Sequence, residues 1–439
     1  MTYTDPLSVA ANAEFLALAR MLDHSTEMLS ETGPVSGKLR VELTDARRIF
    51  SRASEESRRR RGLTFFDRIR ERARLGQGMH DRGEAHAFAD GEICEADRGG
   101  LARHYPLRVR TISCLKKVIR AGEVWDVSTR ALEWGVYDDT EELYVILNVG
   151  ALTIETGGAL IVRGNILSAT CQKLTILGRS TAPIAAETSA YHLGILPTPY
   201  YIGRGVNTCP DGKPGAHGAE GGAGRRGDDV VVGSSILGPC LIHDAREGRR
   251  NGAEGRQGGH GRPGERGLNG GPCKLAEITI RELAGNYPLH LFVQAAGGGD
   301  GGAGGNGGLG GDGGHGGAGA AGIEESVPAG NGGGAGHGGN GGNGGHGGNG
   351  GICSNIYLDV PPEAESRIVV TALPSAGGRG GRPGRGAPPG RPGKGGCYTG
   401  GASDGCDGMP GRAGRDGTPG LDGRSRSPAA VFIDDVAVS

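Results

Sequence analysis

Aromatic residues are scarce in this chain. Phe, Trp and Tyr together make up 4% of its 439 residues, and all apolar residues together make up 36%. Glycine fills much of the difference, with 90 residues. Because glycine brings almost no side chain to a core, a large conventional hydrophobic core is not expected in at least part of the chain.

Long apolar runs are also missing. No stretch approaches the roughly 20 apolar residues that a membrane-spanning helix needs. The first 29 residues carry Asp5, Glu14 and Asp23 and have no basic leading region, so they do not resemble a signal peptide. We therefore expect no membrane span and no signal peptide. The expected location is the cytoplasm or, if the protein leaves the cell inside an assembled particle, that particle.

Paired cysteines are absent. The nine cysteines are scattered, and none forms a C-x-x-C pair. An odd, scattered set is typical of free thiols and not of a disulfide framework or a zinc site. No metal and no other cofactor is expected.

Catalytic motifs are lacking as well. The chain has no G-x-x-x-x-G-K-[ST] phosphate loop, no G-x-S-x-G elbow and no H-E-x-x-H metal motif. No catalytic residue is therefore assigned, and a non-catalytic protein is favoured. A β-helix-type carbohydrate-active enzyme stays open as an alternative, because carboxylate pairs need no recognisable motif. The balance of 48 basic and 49 acidic residues gives no indication of a polyanionic partner.

What the chain does have is a glycine at every third position over long stretches. The rule holds from Gly298 to Gly322 and again from Gly330 to Gly351. A period of three fits the polyproline II helix, which has no internal hydrogen bonds and must find partners. We assign a structural role in close packing to eleven glycines of these runs: Gly301, Gly304, Gly307, Gly310, Gly313, Gly316, Gly336, Gly339, Gly342, Gly345 and Gly348.

Three arrangements are compatible with such a register. A collagen triple helix requires strict G-X-Y with roughly 15–20% proline or more, whereas this chain has 23 Pro in 439 residues. Composition alone would also permit a disordered linker. The phase held over so many turns favours the third arrangement, a bundle of polyproline II helices from a single chain.

The same register returns in four further stretches, so the bundle is expected to contain about six helices. These stretches carry G-X-Y, which leaves one edge bare, whereas the two runs described above carry G-G-x and leave two edges bare. We therefore predict that the two G-G-x runs lie centrally. The four further stretches are Gly212–Gly227, Gly252–Gly270, Gly378–Gly396 and Gly405–Gly423.

The third position of the G-G-x runs is drawn from Asn, His, Asp, Ala and Leu, and the polar types predominate. With three residues per turn these side chains share one edge of their helix. His337 and His346 stand nine residues apart, which is about 28 Å in polyproline II, so they cannot share a metal ion. Hydrogen-bonding edges are favoured over metal ligands.

The predicted fold class is mainly β with polyproline II. Residues 1–90 are expected to form a small helical region, with helices over 6–30, from Thr44, and over 63–75. Residues 91–211 are expected to form a β region, either β-helix-like or a β-sandwich. Residues 212–439 are expected to form the glycine bundle, whose helices alternate with strands that gather into one β layer. The expected strands lie at Val230–Ile242, Leu275–Ile280, Leu289–Val293, Ile356–Val360, Arg367–Val370 and Val431–Ile433.

Two segments are candidate interaction sites. The 179–211 connection is long, and its Tyr191, His192, Tyr200 and Tyr201 are of the types that build recognition surfaces; a structural lid is the alternative. The run Arg58 to Arg61 gives the helical region a basic face. A docking surface for another subunit is favoured there over nucleic-acid binding.

The G-G-x run from Gly298 to His315 resembles the polyglycine II bundles of T-even-type phage tail-fibre adhesins and the glycine-rich domain of Obg-type GTPases. In those adhesins the bundle presents loops at its tip to a bacterial surface receptor, and an N-terminal part attaches to the fibre. The resemblance implies a protein or cell-surface glycan as partner, and assembly into a larger complex through the N-terminal helices. Nucleic acid is not an expected partner. GTPase activity is not implied, since the phosphate loop is missing.

Overall fold

The structure is a computed structural model that describes residues 12–29, 33–62, 84–89, 91, 105–135, 142–179, 191–198, 209–243, 247–322, 326–399 and 404–438. Strands greatly outnumber helices among these residues. The prediction of a mainly β fold is therefore confirmed.

Short helices lie at the N-terminal side of the described chain. Helix α1 spans Ala13–Met21 and begins at Asn12, whose side chain accepts the Phe15 N–H. Helix α2 spans Leu43–Phe50, at the position predicted from Thr44, and residues 55–62 and 84–88 are also helical. The helix predicted over 63–75 and the first residues of the one predicted over 6–30 lie outside the described residues.

The first large sheet runs in the order β1-β2-β4-β6-β10-β15-β18-β19, and β11 also pairs with β6. Its strands from β2 to β18 pair in parallel, whereas β1 and β19 close its two edges in antiparallel pairs. The strands are β1 (Val35–Val41), β2 (Leu107–Ile119), β4 (Leu143–Ile154), β6 (Ile166–Ile176), β10 (Ala276–Ile280), β11 (Leu283–Gly285), β15 (Ile356–Asp359), β18 (Val431–Ile433) and β19 (Val436–Ala437).

The second large sheet runs in the order β16-β12-β7-β5-β3, and all its pairs are parallel. Its strands are β3 (Val124–Asp126), β5 (Ala159–Arg163), β7 (Leu193–Leu196), β12 (Leu289–Gln294) and β16 (Ile368–Leu373). The chain alternates between the two sheets, so each round adds one strand to each. We call one such round a coil.

The main hydrophobic core lies between these sheets. Val145 and Leu174 of the first sheet and Leu291 and Val293 of the second belong to one buried cluster. The prediction of a single β layer is wrong, because the strands alternate between two layers that bury their apolar faces against each other.

Since β6 pairs with β10, strands on either side of residue 212 belong to the same sheet.

Six glycine segments connect the later coils. Segments 1 and 2 lead from β7 to β10, segments 3 and 4 from β12 to β15, and segments 5 and 6 from β16 to β18. None of the six contains a helix or a strand. We define segments 1 to 6 as residues 210–229, 251–271, 297–318, 329–351, 376–397 and 404–425.

The segments hydrogen-bond to one another through their backbones at every third residue. Gly301 N–H donates to the Arg379 carbonyl and Gly304 N–H to the Arg382 carbonyl, both at 2.8 Å. Segments 1, 3 and 5 run parallel to one another, as do segments 2, 4 and 6, and the two sets are antiparallel. Segments 3 and 4 each bond to four other segments, whereas segments 1 and 6 each bond to two.

Close approach between segments leaves no room for side chains at the eleven glycines named above. A Cβ added at any of them would lie between 1.9 and 2.1 Å from a backbone carbonyl oxygen of another segment. Real Cβ atoms essentially never come that near. Substitution at these positions therefore requires the segments to separate.

The Asn, Asp and His side chains at the third position accept hydrogen bonds from the neighbouring segment. Asp300 Oδ1 accepts the Arg379 N–H at 2.6 Å, Asn343 Oδ1 accepts the Thr418 N–H at 2.9 Å, and His337 Nδ1 accepts the Arg412 N–H at 2.8 Å. The three residue types share an acceptor atom at the δ position. That shared atom explains why Asn, Asp and His can replace one another at this position. The same hydrogen bond is made by Asn306, Asp312, His315, Asn331, Asn340, His346 and Asn349.

Candidate recognition surface

The three turns that connect paired glycine segments all lie at one end of the segments, which we call the distal end. Hairpin β8 (Val231–Ser235) and β9 (Gly238–His243), followed by the short helix α3 (Glu247–Arg250), connects segments 1 and 2. Strand β13 (Gly319–Ala321) pairs with β14 (Ser326–Val327) and with β17 (Tyr398–Thr399) of the turn between segments 5 and 6.

A small apolar cluster holds the distal turns together. Val230, Ala320 and Val327 are buried against one another, and Leu241 packs on them. The Val230 N–H also donates to the Ala318 carbonyl at 3.0 Å. A two-stranded hairpin is marginally stable by itself, so this cluster is what anchors β8 and β9.

The hairpin presents large apolar side chains to solvent. Ile236 is fully exposed and Leu237 is 88% exposed, and these two residues form the turn itself. Two-residue hairpin turns favour Asn, Asp and Gly, so two large apolar residues are unusual there. We define the distal surface as the exposed residues Val231, Val232, Ile236, Leu237 and Ile242.

The distal surface carries no charge. No Asp, Glu, Lys or Arg occurs between Val230 and Ile242. At its base, Arg225 pairs with Asp228 at 3.2 Å and Arg226 with Asp229 at 3.1 Å. The surface can therefore bury apolar contact area against a partner without leaving an unpaired ion.

The described cysteines are free thiols, as predicted. Cys240, Cys397 and Cys406 are exposed and all lie near the distal end, whereas Cys114, Cys171, Cys209, Cys273 and Cys353 are buried. Burial raises the pKa of the Cys171 thiol to about 12. Alkylation of the folded protein should therefore be confined to the distal thiols among the described cysteines.

The sequence-predicted binding residues of the 179–211 connection are not brought together at a loop tip. Tyr191 is buried and stacks on Phe292 with ring centroids 5.0 Å apart, and His192 is completely buried. Tyr200 and Tyr201 lie outside the described residues. Tyr191 and His192 are therefore core residues in the structure, because the chain directly after them forms strand β7, whose apolar run Leu193-Gly-Ile-Leu was the available signal.

His192 ties two strands and the start of this connection together. Its Nδ1 accepts the His290 N–H at 3.1 Å, and its Nε2 lies 3.0 Å from the Gly178 carbonyl oxygen. The Nε2 atom must therefore carry the proton. Burial lowers the pKa of His192, the Gly178 carbonyl opposes that shift, and the neighbouring His290 adds to it. Burial also lowers the pKa of His24.

Acidification should destabilise the protein through these histidines. In the unfolded chain a histidine titrates near 6.5, so below that pH the unfolded state binds protons that the folded state excludes. Stability is then fully present above about pH 6.5 and falls as the pH drops below it, by up to about 1.4 kcal/mol for each unit by which one pKa is lowered. Urea denaturation at a series of pH values between neutral and mildly acidic measures this slope.

The control for this prediction is a pair of variants. His192→Gln removes one of the titrating groups and should flatten the slope while lowering stability at neutral pH. Tyr191→Phe changes the same core without removing a histidine and should keep the slope. An unchanged slope in His192→Gln would contradict the assignment.

The basic run Arg58 to Arg61 is only partly a surface. Arg59 and Arg60 are exposed and lie 3.8 Å from Glu55 and Glu56 respectively. The Arg61 guanidinium is buried and donates to Glu277 at 2.6 Å and to Asp359 and Asp435 at 2.7 Å. This arginine therefore holds the N-terminal helices on the sheet and is not available to a partner.

No helix in the described part of the chain has the length and apolarity that a membrane span requires. Among the same residues, no three His, Cys, Asp or Glu side chains are grouped so that they could hold a metal ion. No family model, curated protein or solved structure matches the chain.

Proposed function

We propose that this chain is a non-catalytic recognition protein, adhesin-like, in which a rigid bundle presents the distal surface to a protein or cell-surface glycan. The six glycine segments are polyproline II helices, and the two sheets form a β-helix from which successive pairs of glycine helices project. The observation that carries the proposal is the apolar hairpin turn of Ile236 and Leu237, held in solvent at the far end of the hydrogen-bonded segments.

The hydrogen bonding supports the polyproline II assignment. A three-residue repeat of donors is what a helix with three residues per turn would present to a neighbour. At ~3.1 Å per residue, a segment of about 20 residues would carry the distal surface roughly 60 Å from the sheets. Such a projection makes structural sense if the distal turns have to reach a partner.

The alternation of strands supports the β-helix assignment. Each coil before the last contributes one strand to each sheet, and successive coils stack in parallel. Stacked coils place successive glycine pairs directly beside one another, so that odd segments meet odd segments in parallel. The two other predicted functions, a scaffold subunit docking through the N-terminal helices and a β-helix-type carbohydrate-active enzyme, stay predictions.

The test compares two double variants. Ile236→Ser with Leu237→Ser removes the apolar turn, and Met409→Ser with Leu421→Ser removes two comparably exposed apolar side chains from the side of segment 6. Binding to a glycan array and to intact bacterial cells is measured with both. Because burying one such side chain contributes about 1.5–3 kcal/mol, the hairpin variant should lose binding by at least about tenfold.

The control variant should bind as the unaltered protein does, and both variants should keep its melting temperature. Equal binding by the hairpin variant and the unaltered protein would show that the distal surface is not the recognition site. Equal loss in both variants would point to non-specific apolar adhesion instead.

A further inference from the structure

We infer that the open edge of the second sheet, at strand β16, is a docking site for an extended segment of a partner protein that carries alternating apolar side chains and a cationic end. This site lies on the β sheets, at the opposite end of the glycine segments from the distal surface. It does not depend on the function proposed above.

Among the described residues, the last coil has a strand in the first sheet but none in the second. In the first sheet β18 follows β15, but in the second sheet no strand follows β16 within the described residues. After β18 the chain turns at Asp434 and Asp435, both with positive φ, and returns as β19 on the first sheet. Among the described residues, none therefore occupies the position beside β16 that a strand of this coil would take.

Strand β16 is unprotected in the way that strand-accepting edges are. It reads Ile-Val-Val-Thr-Ala-Leu, with no charge and no proline, and its residues are only partly buried. One side of β16 pairs with β12, and in the part of the chain that the structure describes no strand pairs with its outer side, where alternate backbone N–H and C=O groups have no strand partner. Proteins usually protect such an edge with charged residues, with proline or by covering it with another element. Strand β16 itself contains no charged residue and no proline. An added strand would satisfy these backbone groups.

An apolar groove lies beside this edge. Its volume is about 380 Å³, and it is lined by Ile368, Val370, Ile433, Val436 and Val438, with Glu365 at its rim. Val436 and Val438 belong to the C-terminal turn of the first sheet and are exposed. A strand added beside β16 would place every second side chain in this groove, because successive side chains point to opposite faces of a sheet.

The rim of the groove is acidic. The Arg61 guanidinium pairs with Asp359 and Asp435, and Arg60 also lies 3.3 Å from Asp435, whereas in the described part of the chain no ion pair reaches Glu365 or Asp434. Arg367 donates its N–H groups to the Leu283 and Gly285 carbonyls. Burial raises the pKa of Asp434, and the nearby Asp359 and Glu365 carboxylates add to the rise. A cation on the incoming segment would relieve this excess of negative charge.

The same charges decide against a second copy of this chain as the occupant. Two copies pairing β16 with β16 about a twofold axis would bring two acidic rims together. Like charges across an interface are unfavourable and select against such a partner. A different protein, with Lys or Arg beside its apolar strand, fits the site.

The experiment measures fluorescence anisotropy of two labelled, end-blocked peptides with the full chain. One has the sequence Lys-Val-Thr-Val-Thr-Val-Lys, and the other has Glu at both ends of the same core. The Lys peptide should bind about fivefold to tenfold more tightly, as expected for partly exposed ion pairs. A Lys peptide with alternate backbone N-methyl groups should not bind, since it cannot pair with an edge.

Three substitutions test whether the peptides bind at the groove beside β16. Glu365→Lys should reverse the preference, so that the Glu peptide binds more tightly than the Lys peptide. Glu220→Lys makes the same change on an exposed residue of segment 1 and should leave the preference unaltered. Val436→Asp, at an exposed groove residue, should weaken both peptides without lowering the melting temperature.

Three results would overturn the inference. The first is no saturable binding at about millimolar peptide. The second is equal binding of the Lys and Glu peptides by the unaltered chain. The third is self-association of the chain that Val436→Asp abolishes. This result would show that a second copy of the chain occupies the β16 edge.

Discussion

Gly342→Val should unfold the glycine segments, whereas Asn343→Ala, one residue later, should be tolerated. A Cβ at residue 342 would lie 2.1 Å from the Arg262 carbonyl oxygen and 2.5 Å from its carbon. These are backbone atoms of segment 2, so no side-chain rotation relieves the clash. Valine can fit only if segment 4 moves away from segment 2.

That movement would break several hydrogen bonds at once. The Gly342 N–H donates to Gly305 of segment 3 at 2.8 Å, and the Gly342 carbonyl accepts the Gly384 N–H of segment 5, also at 2.8 Å. Each bond contributes about 1 kcal/mol net, and a buried group left without a partner costs more. We expect destabilisation of at least about 4 kcal/mol, at the extreme end for single substitutions.

The control loses one bond only. Asn343→Ala removes the Oδ1 acceptor of the Thr418 N–H and should cost about 1 kcal/mol. Asn343→Asp keeps an acceptor at the δ position and should cost less. Thermal and urea denaturation measure all three variants, and equal midpoints for Gly342→Val and Asn343→Ala would remove the close-packing account.

Arg61→Met should destabilise the attachment of the N-terminal helices to the first sheet by about 3–5 kcal/mol. The guanidinium is 1% exposed and lies 4.4 Å from the centre of the Tyr357 ring, in contact with a Glu277 carboxylate that is fully buried. Burial raises the pKa of Glu277, and Arg61 opposes that rise. Without the arginine, a buried carboxylate has lost its cation.

A second substitution should recover part of the loss. Glu277→Gln removes the charge while keeping an acceptor for the Arg52 N–H, which donates to Glu277 at 3.1 Å. The double variant Arg61→Met with Glu277→Gln should therefore be more stable than Arg61→Met alone. Arg59→Met, at an exposed arginine near Glu55, should change the unfolding free energy by less than about 1 kcal/mol.

Urea denaturation of the Arg61→Met, Arg59→Met and double variants measures these differences in stability. If Arg61→Met and Arg59→Met have the same midpoint, Arg61 does not carry the attachment. If the double variant is less stable than Arg61→Met by the full cost of Glu277→Gln alone, the two residues act independently and the ion pair is not the reason for the loss.

Local pattern predicted several elements well. The period-two run Leu289–Val293 lies in strand β12, and β15 contains all of the run Ile356–Val360 except its last residue. Thr44 lies in the first turn of α2. The hairpin at Val230–Ile242 was predicted as strand, but its exposed turn was not singled out. The available signal was Ile236-Leu237 between Ser235 and Gly238, two large apolar residues where a turn residue is expected.

Long-range pairing could not be predicted in the same way. Arg61 contacts Glu277, Asp359 and Asp435, which lie more than 200 positions away, and its neighbours in sequence are exposed arginines of the same type. Tyr191 and His192 likewise have the composition of a recognition loop, and only the pairing of β7 with β5 and β12 buries them. No local feature distinguishes Arg61 from its exposed neighbours, and the local signal for Tyr191 and His192 is limited to the apolar run Leu193-Gly-Ile-Leu that follows them.

The sequence by itself determined where the glycine segments lie and which of their edges can approach a neighbour, because a missing side chain is a local property that repeats with the backbone period. It also determined that the third position carries a hydrogen-bonding edge. Only the tertiary structure decided which segments meet, which turns gather at the distal end, and which edge of the second sheet stays open. Those features depend on how the coils stack, and stacking is fixed by contacts between residues far apart in the chain.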